Sequence, residues 1–140
     1  MARDKKVLEK YKLFIDDVEK ALGYKINPTT GGSSANHKPD KRKKQKDGWG
    51  ALDLGRNDSG MNSDARKKTV ARVALRHGLN VGFEGHHLHI DDNTDKIGRA
   101  FAYNREGKKQ YAASKKLMEE VNKEHDKEVA ARGKMFSAPA

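Results

Sequence analysis

The sequence predicts an α+β fold: a small antiparallel sheet packed with helices, plus a charged C-terminal helix. Three observations carry this. Apolar residues from Val7 to Leu22 recur at three- and four-residue steps, the period of a helix with one buried face. Between Leu79 and Ile90, two short alternating runs meet at Glu84-Gly85, as the strands of a hairpin do. From Lys109 to Ala131 a strongly charged stretch keeps only a thin apolar stripe.

The first helix is read from Val7, Leu8, Tyr11, Phe14, Ile15, Val18, Ala21 and Leu22, with charged residues between them and Gly23 as the stop. Tyr24 to Asn27 reads as a short strand ahead of Pro28. Thr29 to Lys46 loses periodicity. Its first six residues are loop chemistry, and Lys38 to Lys46 carries seven charged residues in nine. Asp47-Gly48 marks a turn, after which Gly50 to Leu54 forms a short strand with Ala51 and Asp53 on one face. Arg56 to Gly60 is again loop.

Ser63 is placed to cap a second helix whose apolar face is Ala65, Val70, Val73, Ala74 and Leu75, ended by Gly78. Leu79 to Phe83 and His87 to Ile90 are the hairpin strands. Leu88 and Ile90 face the core, and His87 and His89 share the opposite face. After a polar turn from Asp91 to Asp95, Ile97, Ala100, Phe101 and Tyr103 pack a short segment that Gly107 breaks. The stripe of the last helix (Tyr111, Leu117, Val121, Val129) is thin enough to fit peripheral docking or a partner helix rather than a central place in the core.

A chain of 140 residues suits one domain, and with 34% hydrophobic against 36% charged residues its core must be small. The net charge of +10 points to an anionic partner: nucleic acid, a membrane surface or an acidic cell-wall polymer. Having no cysteine excludes disulfides, thiolate zinc sites and cysteine nucleophiles. No apolar run approaches the roughly 18 residues that span a bilayer. The N-terminal residues lead into an amphipathic helix rather than a secretory signal, so synthesis in a cytoplasm is expected.

The chemistry is concentrated in Glu84-Gly85-His86-His87-Leu88-His89-Ile90-Asp91-Asp92, where three of the chain's six histidines fall within four positions. Neutral imidazole is a good metal ligand, and a carboxylate three residues before a ligand is placed to act as general base. Asp53, on an otherwise apolar strand, needs a partner if buried. His37, Asp53 and His87 are expected to gather around one metal ion. His86 should face away, His77 should act as a charge partner at a helix end, and His125 should be exposed. Trp49 packs in the core or binds substrate.

Gly48-Trp49-Gly50-Ala51-Leu52-Asp53-Leu54 resembles the G-x-A-x-D segment of the zinc D-alanyl-D-alanine carboxypeptidase family. That family includes VanX/VanY-type D,D-peptidases and phage endolysins that cut L-alanyl-D-glutamate bonds. Glu84-Gly85-His86-His87 resembles its second signature, an acid three residues before a ligand histidine. The resemblance spans Lys12 to Asp92 and divides the chain into a zinc peptidase-like domain, 1–107, and a charged C-terminal helix and tail, 108–140. It implies Zn2+ held by Asp53 and His87, with Glu84 as the catalytic base. The first ligand of the family lies seven residues before the aspartate, where this chain has Lys46; His37 resembles that ligand displaced by nine residues. The family's S-G-x-R-S turn has an arginine that Thr30-Gly31-Gly32-Ser33 lacks, and Arg56 is one candidate substitute. His89 is either a supporting residue behind the ligands or an alternative ligand in place of His37.

The resemblance therefore implies a zinc peptidase acting on peptidoglycan stem or cross-link peptides, encoded by a phage, as an endolysin or a virion-associated enzyme. Such an enzyme would be made in the host cytoplasm and act at the bacterial cell wall, with the basic loop favouring an anionic polymer. The contrasting expectation is a phage structural or DNA-associated protein that keeps the fold with weakened or no activity. A metal-dependent nuclease is a third option, with no motif of its own.

Overall fold

The computed structural model describes residues 5–30, 51–55, 63–92, 98–104 and 107–137. Eight elements follow in order: helices α1 (Lys5–Lys10) and α2 (Lys12–Leu22), strand β1 (Leu52–Leu54), helix α3 (Asp64–Arg76), strands β2 (Asn80–Glu84), β3 (His87–Asp91) and β4 (Ala100–Ala102), and helix α4 (Lys108–Ser137). The fold is α+β. The basic run from Lys38 to Lys46 lies outside the described residues.

The N-terminal stripe forms two helices rather than one. Tyr11 departs from helical geometry at φ −97°, ψ 13°, although Tyr11 N still donates to Val7 O and Ile15 N to Tyr11 O. Val7, Tyr11, Phe14 and Val18 are buried on one side. Gly23 closes α2 at φ 83°, a left-handed conformation that glycine adopts without a Cβ penalty. The strand expected over Tyr24 to Asn27 does not form. Glu19 accepts a hydrogen bond from Ile26 N at 2.9 Å and ties this segment back to α2. Only Thr29 reaches the sheet, exchanging two backbone hydrogen bonds with Asp53.

The sheet has the order β1-β3-β2-β4. The β1–β3 and β2–β3 pairs are antiparallel, as expected, whereas β4 joins β2 in parallel and makes the sheet mixed. The segment read as a short packed stretch around Phe101 is thus an edge strand. Leu52, Leu54, Val81, Phe83, Leu88, Ile90 and Ala100 belong to the core together with the buried faces of α2 and α3. Full burial of side chains such as Phe83 and Leu88 contributes about 1.5–3 kcal/mol each relative to exposure. Ser63 caps α3 as expected, its hydroxyl accepting from Arg66 N at 3.4 Å.

The C-terminal helix is longer than the stripe indicated, and its stripe is not peripheral: Leu117 and Val121 enter the common core, while Val129 remains half exposed. Three ion pairs fix α4 alongside α3: Lys68–Glu120, Arg72–Glu124 and Arg76–Glu128. Each joins residues 52 apart, so the two helices run in the same direction and advance one turn per rung. Asn122 covers the outer edge of β4. Its amide accepts from Ala100 N at 2.9 Å and donates to Ala100 O at 3.0 Å, satisfying backbone groups that an edge strand otherwise leaves open. Among the described residues, no helix is long and apolar enough to cross a membrane.

Candidate metal centre

The strand period of two decides what faces what. With Leu88 and Ile90 committed to the core, His87, His89 and Asp91 share the other face of β3. The register sets Asp53 of β1 against His89, and Glu84, Gly82 and Asn80 of β2 against His87, His89 and Asp91. The hairpin turn is two residues, with Gly85 at φ 77°, so Glu84 and His87 stand opposite each other. Lys67, on the buried side of α3, donates from Nζ to Gly85 O at 2.7 Å and pins that turn.

Asp53, Glu84 and His87 converge as expected. Each offers one ligand atom, and these atoms lie within 4.8 Å of one another, with all three residues buried. His87 Nε2 is 3.7 Å from Glu84 Oε2. His89 stands beside them, its Nδ1 3.5 Å from Asp53 Oδ1 and 3.8 Å from Glu84 Oε2, and its Nε2 2.9 Å from Asp91 Oδ2. Asp91 also accepts from Asn80 Nδ2 at 2.9 Å. A metal-ligating histidine is usually held in this way, by a carboxylate at the nitrogen that does not face the ion. His86 is exposed, as expected. His37, Trp49 and Arg56 lie outside the described residues.

Electrostatics favours a cation here. Burial by itself disfavours a charge on His89. Hydrogen bonds to Asp53 and Asp91, with the fields of Asp91 and Glu84, outweigh it and raise the pKa from 6.5 to about 9. Asp53, Glu84 and Asp91 all converge on this imidazole from a surface withdrawn from water, so three buried carboxyl groups need a partner there. Carboxylate oxygens and imidazole nitrogens together suit a divalent ion of the zinc type. Thr29, next to Asp53 in the same cross-strand row, buries a hydroxyl that finds no hydrogen-bond partner among the described residues. The donor set fits a metal ion.

Asp91 and Lys67 escaped the sequence reading. The signal for Asp91 was present, because His-x-His-x-Asp places three polar groups on one strand face. Lys67 also left a trace: it shares the helix face of Val70, Ala71 and Ala74, where a lysine needs a specific acceptor. His77 stands at the C-terminal end of α3, where it was expected, and there pairs with Asp17 of α2 through Nε2 at 2.6 Å and meets Phe14 edge-on.

No protein-family model matches the chain, and neither does any curated protein or solved structure. The case for a function therefore rests on the site.

Proposed function

We infer that the protein is a zinc-dependent peptidase acting on peptidoglycan stem or cross-link peptides. The observation that carries this reading is the convergence of Asp53, Glu84 and His87 on one buried sheet face. The same residues carry the resemblance of Gly48–Leu54 and Glu84–His87 to the D-alanyl-D-alanine carboxypeptidase family, which suggests the peptide substrate. Asp53 and His87 would hold the ion, with a further nitrogen from His37 or from His89. Bound there, zinc supplies Lewis-acid polarisation of a substrate carbonyl and lowers the pKa of a water nucleophile toward about 7.

The chain's own groups do the rest. Glu84 would accept a proton from the attacking water and return it to the leaving amine. Its carboxylate is held by the two-residue turn that Lys67 pins. Asp91 keeps the imidazole of His89 oriented. The positive surface of the chain favours an anionic cell wall, and a phage-encoded enzyme of endolysin or virion type accords with that substrate.

The alternative, a phage structural or DNA-associated protein without activity, draws mainly on the charge of +10. That charge would attract a nucleic acid or an anionic cell wall alike, and the buried group of Asp53, Glu84 and His87 is what favours the enzyme.

The test is metal analysis of the purified protein combined with digestion of purified sacculi. Bound zinc near one equivalent and released stem peptides are expected, with both lost in His87→Ala. Zinc retained with no peptide cut under any condition would sink the enzyme reading.

A further inference from the structure

Between Asn80 and Glu84, the site face of β2 carries no side chain, because the residue there is Gly82. The ring of Tyr103 fills that place. A Cβ added to Gly82 would fall 2.4 Å from Tyr103 Cε2, 3.0 Å from Cδ2 and 3.6 Å from His89 Cβ. Only the Cε2–Cδ2 side of the ring comes that close, so the ring meets the glycine edge-on and stands next to His89. Its position follows from the backbone. Tyr103 N donates to Phe83 O at 3.0 Å, so pairing with β2 continues one residue past β4. Strand alternation then puts Phe101 and Tyr103 on the face of Gly82, while Ala100 turns to the core. Both aromatic residues are only partly buried, in contrast to Asp53, Glu84, His87, His89 and Asp91 beside them.

The cation group is thus bordered by ionisable side chains and, on the β4 side, by an aromatic surface with some of its area open. A peptide held with its scissile carbonyl at Asp53, Glu84 and His87 needs somewhere to place the aliphatic side chain next to that bond, and the charged groups do not provide it. We propose that the ring of Tyr103 is the substrate-contacting wall of this site, packing against a small aliphatic side chain, such as an alanyl methyl, adjacent to the scissile amide. The inference rests on the peptidase reading. Its chemical content is separate: the ring face makes the contact, and the phenol oxygen does not.

The experiment uses the full-length, zinc-loaded chain and a synthetic stem pentapeptide ending in D-alanyl-D-alanine, with KM, kcat, zinc affinity and melting temperature measured for each variant. Tyr103→Ala should raise KM about 10-fold, the scale of one lost aliphatic contact, with kcat and zinc affinity little changed. Tyr103→Phe should stay within about 2-fold of the unaltered protein in KM. Gly82→Ala approaches the same contact from beneath: the new methyl and the ring cannot share the space, so its KM should rise as in Tyr103→Ala. A KM unchanged in Tyr103→Ala overturns the proposal, and so does a Tyr103→Phe variant as impaired as Tyr103→Ala. If the unaltered protein cleaves no peptide, the peptidase reading fails first and takes this inference with it. Cleavage with an indifferent Tyr103 removes the wall alone.

Discussion

His89 stands directly across the sheet from Asp53, and its ring is engaged on both sides: Nδ1 is 3.5 Å from Asp53 Oδ1 and Nε2 is 2.9 Å from Asp91 Oδ2. One imidazole thus links the strand carboxylate of the candidate centre to a second, fully buried carboxylate behind it. Four predictions follow from this site and from the contacts that hold the sheet and helices around it.

Replacing Asp91 by Asn keeps the shape but removes the charge that orients His89. Zinc affinity should fall about 10–100-fold, the usual effect of losing such a supporting carboxylate. Competition with a chromophoric chelator measures it, with circular dichroism confirming the fold. Affinity equal to that of the unaltered protein would mean that His89 does not support the ion.

Glu84 is separable from the ligands by charge. Glu84→Gln retains size and loses basicity, so peptide hydrolysis should drop about 10²–10⁴-fold. Zinc should stay bound in the same preparation. Loss of metal together with activity would reassign Glu84 as a ligand, since its Oε2 lies 3.7 Å from His87 Nε2.

The pairing of α3 with α4 has a pH signature. A hydrogen bond from Arg72 holds the Glu124 carboxyl below its ordinary 4.5, and Arg76 does the same for Glu128. A lowered carboxylate pKa gives stability that is complete above the ordinary value and is lost as pH falls through the lowered one. Both pairs are partly exposed, so each contributes only about 0.2–1 kcal/mol at neutral pH. Thermal unfolding from pH 7 to 3 should show a shallower loss below about pH 4.5 in the Glu124→Gln, Glu128→Gln double variant. Identical acid profiles would show that the ladder adds nothing.

Asn122 guards the edge of β4. Asn122→Ala leaves Ala100 N and O without their side-chain partner, and the cost should be about 1–3 kcal/mol. Urea unfolding should show a lower midpoint at unchanged slope. Self-association through the uncovered edge should rise as well, readable by light scattering. A midpoint equal to that of the unaltered protein would show that the bidentate contact does not stabilise the strand.

Much of the candidate centre was legible in the chain because it obeys local rules. Glu84 and His87 are brought together by a two-residue turn, and the alternation that buries Leu88 and Ile90 sends His87, His89 and Asp91 to the other side. The helix period located α2 and α3, and a serine cap and a glycine mark where α3 begins and where its chain turns away. These features depend on residues a few positions apart, and sequence shows such spacings directly.

What the chain alone left undecided involves partners distant in sequence. Asp53 meets His89 only because β1 pairs with β3 in one register; a slip by one residue would bury the carboxylate in the core. The parallel addition of β4, the ring of Tyr103 over Gly82, Lys67 on the Gly85 carbonyl and the alignment of α4 along α3 are all tertiary choices. The thin stripe of α4 looked peripheral because stripe width measures how much one helix brings to a contact. It does not measure how much surface α3 and the sheet offer in return. Periodicity determined which side chains leave the core together, and only the assembled sheet and its helices decided which of them meet.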